Sequence, residues 1–210
     1  MLPYKIVTFA KLRREGLSQR EIFNLNASLR LFPTPFKGIY YAPGTDERGG
    51  WTISSPTRVL THAIQMFLGN ENFYYTGLTA KQHLGIIWQP SNRIDVVNSQ
   101  LEGRINLRAR IERNEKKTTF RARKIARLLA FYGDELVFHK VKRFEACKFK
   151  PTPQGNYATL GQVKKDEKRF GKRERNQRAS PTTGNIGHSF LKKTAVSTPE
   201  DKAMRTGYGR

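Results

Sequence analysis

The chain has one cysteine, Cys147, among 210 residues, so no intramolecular disulfide can form, and no Cys/His group has the spacing of a zinc site. A buried, inert thiol is the expectation. Acidic residues are scarce as well: 17 Asp+Glu stand against 39 Lys+Arg, a formal net charge of +22. No apolar run approaches the roughly 18 residues of a membrane span, and Met1-Leu2-Pro3-Tyr4-Lys5 lacks the apolar core of a signal peptide. A cytoplasmic protein without a membrane partner is expected. Internal repeats and sustained heptads are absent, which removes solenoid and filament readings. There is no glycine-rich phosphate loop either: Gly49-Gly50 precedes Trp51 without the Lys-Ser/Thr of such a loop and reads as a turn between domains.

Catalytic patterns are missing too. His62, His83, His139, His188 and Cys147 fall in different segments with no carboxylate at motif spacing, so each reads as structural or surface. The chain is expected not to be an enzyme, with no cofactor and no bound metal.

What is present is positive charge. A polyanion gains by releasing its counterions onto such a surface, which makes nucleic acid the expected partner, with duplex DNA favoured and RNA the alternative. The first 150 residues hold 26 Lys+Arg and 12 Asp+Glu, and the last 60 hold 13 and 5, so both parts are basic. Large apolar residues concentrate in the first part, and residues 151–210 read as a basic flexible tail. Deleting that tail is expected to weaken binding and leave the fold intact.

The periodicities predict an α+β protein with three parts. Residues 1–48 form a small helix-turn-helix-like or winged-helix-like unit, residues 49–150 a mixed α/β domain with a basic face, and residues 151–210 the tail. In the first unit, Ile6, Phe9 and Leu12 share a face of one helix of about ten residues ended by Gly16. Ser18-Gln19-Arg20-Glu21 has the form of a capping box opening a second helix that buries Ile22 and Leu25. Leu29–Phe32 and Gly38–Tyr41 read as a short ribbon around Pro33 and Pro35. Farther on, Ser54-Ser55-Pro56 starts a helix with an apolar stripe of Val59, Leu60, Ala63, Ile64 and Phe67, ended by Gly69. Thr79 is placed as the cap of a single-turn segment, Ala80–Leu84. Arg104–Glu112 alternates strictly and reads as a strand, Arg121–Tyr132 as a helix, and Glu135–Phe144 as a last strand.

Three basic groups are candidate nucleic-acid contacts. Arg13, Arg14, Gln19, Arg20 and Asn24 are groove-reading types on the two-helix unit, with Lys37 in the ribbon. Any surface hairpin exposes such residues for solubility, and that reading stands beside the functional one. Arg104, Arg108 and Arg110 on the expected strand, with Arg121, Arg123, Lys124 and Arg127 on the outer side of the following helix, would form a phosphate-binding face. In the tail, Lys164, Lys165, Lys168, Arg169, Lys172 and Arg173 make the densest run.

One resemblance bears on these expectations. Ile53-Ser54-Ser55-Pro56-Thr57-Arg58-Val59-Leu60-Thr61-His62-Ala63 and Phe73-Tyr74-Tyr75-Thr76-Gly77-Leu78-Thr79-Ala80-Lys81-Gln82-His83-Leu84-Gly85-Ile86 resemble the AbiEi family, antitoxins of type IV toxin–antitoxin systems and related regulators. The resemblance covers about residues 5–140 in order of elements. It implies an N-terminal winged helix on operator DNA, an α/β domain, a role in transcription regulation, and a toxin partner on a separate chain. The alternative expectation is a structural RNA-binding or ribosome-associated protein whose basic tail threads into RNA.

Overall fold

Strand β1 (Lys5–Thr8) gives way to helix α1 (Phe9–Arg14) at Thr8, whose backbone is extended and whose hydroxyl accepts the Lys11 amide. The single helix expected from Ile6 is therefore divided. Its first residues, Ile6-Val7-Thr8, are β-branched, and a neighbouring strand supplies the ladder that such residues favour. Helix α2 (Gln19–Ala27) starts as the sequence predicts: the Glu21 amide donates to Ser18 Oγ at 3.2 Å, and the Ser18 amide donates to Glu21 Oε2 at 2.7 Å. Strands β2 (Phe32–Pro33) and β3 (Ile39–Ala42) follow, and β3 lies between β1 and β2 in an antiparallel sheet. Val7, Leu12, Ile22 and Leu31 form a small core beneath the helix pair.

The structure is a computed structural model that describes residues 5–179. After β3 come α3 (Thr45–Gly50), α4 (Pro56–Leu68), β4 (Phe73–Thr76), α5 (Gly77–His83), β5 (Arg93–Asn98), β6 (Gly103–Asn106), α6 (Arg108–Glu115), α7 (Phe120–Ala130), β7 (Glu135–Lys140), β8 (Phe149–Thr152), β9 (Gly155–Ala158) and α8 (Leu160–Ala179). Six of these strands make a mixed sheet in the order β6-β7-β5-β4-β9-β8, with β4–β9 and β5–β7 parallel and the other pairs antiparallel. The α+β expectation holds. Among the described residues, no helix is long and apolar enough to cross a membrane.

Period-two alternation divides the side chains of this sheet between two cores. Phe73, Tyr75, Val96, Leu136, Phe138 and Tyr157 face α4 and α7, whose Val59, Leu60, Ala63, Ile64, Ala126, Leu128 and Leu129 cover them. Tyr74, Val97 and Ala158 face the other way, against Ala80 of α5, Val141, Phe144, and Val163 and Phe170 of α8. The first core also takes in Leu29, Phe32, Phe36, Ile39 and Tyr41. The apolar cluster thus runs unbroken across residue 48, and the N-terminal unit shares its interior with the main sheet.

Several sequence expectations are corrected. Arg104–Glu112 is not one strand: β6 ends at Asn106, whose side chain accepts the Ala109 amide at 2.9 Å and starts α6. Leu107 and Ile111, buried and four residues apart, satisfy a helical period as well as an alternating one. The strand after α7 stops at Lys140, Gly49-Gly50 closes a helix instead of forming a turn, and α5 begins at Gly77, before Thr79. Cys147 is half-buried. The largest correction concerns residues 151–171, expected to be tail. They complete the β8–β9 hairpin, β9 pairs with β4, and α8 buries Gln162, Val163, Asp166 and Phe170. The apolar residues that achieve this are few and widely spaced among lysines, which is why composition alone reads the segment as tail. Residues 180–210, with His188, lie outside the described residues.

Candidate nucleic-acid interface

Because Leu12 and Ile22 turn inward, the helix pair presents Arg13, Arg14, Gln19, Arg20 and Asn24 to solvent, and all five are exposed. Arg13 also donates to the Leu17 carbonyl at 3.0 Å, so it ties the turn together. Phe23 joins the outward face of α2 with 52% of its surface exposed, against Phe9 at 6.3 Å between centroids. Lys37 is exposed in the turn between β2 and β3. The Thr34 hydroxyl pins that turn by accepting the Phe36 amide and donating to the Ile39 carbonyl.

The expected second basic face separates into distinct roles. Arg104 pairs with Glu135 at 3.1 Å and Arg108 with Glu112 at 2.9 Å, both near solvent. Arg110 is half-buried and donates to the Pro35 carbonyl, joining α6 to the N-terminal unit; burial and then the nearby Arg113 lower its pKa. Lys124, expected outward, points inward. Its Nζ donates to the Arg48 carbonyl at 3.1 Å and lies 4.9 Å from the Trp51 ring centroid and 5.7 Å from that of Phe32, with burial lowering its pKa. It anchors α7 to α3 and is not available to phosphate.

Arg121, Arg123 and Arg127 remain exposed on α7. The Arg121 guanidinium donates to Asn26 Oδ1 on α2 at 3.3 Å, making one continuous surface of the α2 face and the basic side of α7. Lys116 and Lys117 extend it. On the opposite side of the main sheet, Lys164, Lys165, Lys168 and Arg169 point away from α8's buried face; the side chains of Lys172 and Arg173 lie outside the described residues. Sequence reasoning missed three aromatic residues of the α2–α7 surface, Phe23, Trp51 and Phe120. The signal was available in part, since Phe120 directly follows the capping Thr119 and precedes Arg121.

A second feature lies between the sheet and α8. Thr76, Arg93, Asp95, His139, Asp166 and Phe170 are among the residues lining a cavity of about 310 Å³. Parallel pairing of β5 with β7 brings Asp95 and His139 together, with Oδ1 and Nε2 2.8 Å apart, so one histidine does have a carboxylate neighbour that sequence spacing conceals. Burial would raise the Asp95 pKa, but hydrogen bonds from His139 and Arg93 outweigh it and leave the carboxyl below its ordinary value. Asp166 is different: burial dominates and holds its pKa above the ordinary value, although Thr76, Gln162 and Tyr74 all donate to it. The His139 ring stacks on Phe170 with centroids 4.0 Å apart. Among the described residues, no hydroxyl or thiol is hydrogen-bonded to His139 and no group of three His, Cys, Asp or Glu side chains could hold a metal. The cluster fastens α8 to the sheet.

No family model matches the chain, and comparisons with curated proteins and with solved structures give no match.

Proposed function

We propose that this protein binds duplex DNA through its N-terminal unit and acts as a transcriptional regulator similar to the AbiEi antitoxins. In this reading β1-α1-α2-β2-β3 is a reduced winged helix. Helix α2 enters the major groove with Gln19, Arg20 and Asn24, and Arg121, Arg123 and Arg127 hold phosphates beside it. The observation that carries the reading is the Arg121–Asn26 hydrogen bond, which makes a base-reading helix and a phosphate-binding helix a single surface. The fused core supports it further, because Leu29, Phe32, Ile39 and Tyr41, which follow α2, pack in one cluster with Ala126, Leu128 and Leu129 of α7. A toxin partner on a separate chain follows from the resemblance alone. The RNA-threading alternative rests on residues 151–210, and the folding of 151–171 onto the sheet removes part of its motivation.

A gel shift on the DNA upstream of the protein's own gene, with excess random duplex as competitor, tests the proposal. A complex that survives competition supports it, and equal displacement by random duplex removes specificity. Arg121→Ala and Arg123→Ala should each reduce the slope of log affinity against log salt by about one phosphate's worth, roughly 0.9.

A further inference from the structure

Phe120 opens α7 with 63% of its surface exposed, and the Trp51 ring meets it edge to face, centroids 4.6 Å apart and planes at 84°. Helix initiation does not require an aromatic residue there, because Thr119 already caps α7 by accepting the Ala122 amide. Trp51 is held from beneath by the buried Lys124 ammonium, itself bonded to the Arg48 carbonyl. The pair is therefore a supported aromatic platform and not two loose rings. Its setting is cationic: Lys116 and Lys117 precede it, Arg121 and Arg123 follow it, and the first turn of α7 has no acid.

We propose that Phe120 and Trp51 form a stacking site for an unpaired nucleobase, with Arg121 and Arg123 on the flanking phosphates. An exposed ring among arginines and lysines complements a single strand, whose bases offer π faces and whose backbone offers charge. An apolar protein partner would find this ring surrounded by hydrated cations. The inference rests on the nucleic-acid reading above and adds to it a substrate class, single-stranded or locally unpaired nucleic acid, with a place for one base.

Trp51 and Trp88 are the only tryptophans, and Trp88 is 86% exposed, so Trp88→Phe leaves Trp51 as sole reporter at little structural cost. The full chain bearing Trp88→Phe is titrated with an oligothymidylate, with blunt duplex DNA and with heparin, a polyanion without bases. The oligothymidylate should quench Trp51 emission, and heparin should not. Adding Phe120→Ala should weaken oligothymidylate binding roughly tenfold, in the range seen for loss of one stacked base. Heparin binding and the thermal midpoint should stay unchanged, and Phe120→Tyr should bind like the parent. Unchanged Trp51 emission at saturating oligothymidylate, or equal weakening of heparin and oligothymidylate by Phe120→Ala, overturns the stacking site while leaving duplex recognition standing. Failure of the parent to bind any of the three at low salt overturns both readings.

Discussion

Replacing Phe170 with alanine should destabilise the whole protein, and the size of the loss follows from where the ring lies. Phe170 is 5% exposed and stacks on His139, which in turn holds Asp95 on the central strand β5. Phenylalanine-to-alanine changes in a core cost about 3–5 kcal/mol. The ring borders a cavity of about 310 Å³ that water can enter, which favours the lower end. At about 3 kcal/mol, with roughly 2–4 °C lost per kcal/mol in a protein of this size, the thermal midpoint should fall by about 6–12 °C. Thermal and urea unfolding of the full chain, followed by circular dichroism, measures it. Lys168→Ala, exposed on the same helix, is the control and should stay within about 0.5 kcal/mol of wild type. Indistinguishable midpoints for the two variants would refute the docking of α8. By the same reasoning, deletion of residues 151–210 should abolish cooperative unfolding, the reverse of what the composition suggests.

Other substitutions test separate features. Gly133→Ala should cost well over the ~1–2 kcal/mol of a left-handed residue, because its Cβ would lie 2.7 Å from the Asn92 carbonyl oxygen; Gly85→Ala, also at positive φ but with open space around it, should cost no more than that, and paired urea curves separate them. Lys124→Met should lower stability and leave DNA affinity unchanged, whereas Arg123→Ala should do the opposite; a loss of affinity in Lys124→Met with stability intact would restore Lys124 to the interface. Asp95 and Asp166 should give opposite pH dependences. The lowered Asp95 pKa supplies stability that is present above the ordinary carboxyl range and lost as pH falls through its folded value. The raised Asp166 pKa supplies stability that is present at low pH and lost as pH rises through its folded value. Wild type should therefore gain on Asp166→Asn as pH is lowered from neutrality, and lose ground to Asp95→Asn at the acid end, both read from urea midpoints across pH.

Local chemistry was the legible part of this fold. The Ser18–Glu21 box, the Ser55-Pro56 start and Gly69 end of α4, and its apolar stripe are set by neighbours in sequence, and each lies where spacing places it. Elements fixed by distant partners were not legible. Residues 5–8 are a strand because β3 is beside them, and the strand β6 gives way to α6 where the Leu107 and Arg108 amides both donate to the distant Asp134 carbonyl, although both segments satisfy the other period equally well. The candidate interface shows the same division. The exposed residues of α1 and α2 follow from amphipathic spacing, whereas the inward turn of Lys124 depends on Trp51 and Arg48 in another element. The Asp95–His139 pair depends on strand order, which sequence spacing does not encode.

The place of β9 has a consequence for biosynthesis. Strand β4, central in the sheet, pairs on one side with β5 and on the other with β9, where Tyr75 lies opposite Tyr157. A ribosome emitting this chain releases β4 long before β9, so a buried aromatic strand waits with one unpaired edge until the last third of the described residues emerges. Closure of that edge by the β8–β9 hairpin and α8 is a slow, long-range step. During the wait the nascent chain exposes Phe73-Tyr74-Tyr75 as a template for pairing with other chains, so expression yield should depend on chaperones that shield unpaired strands.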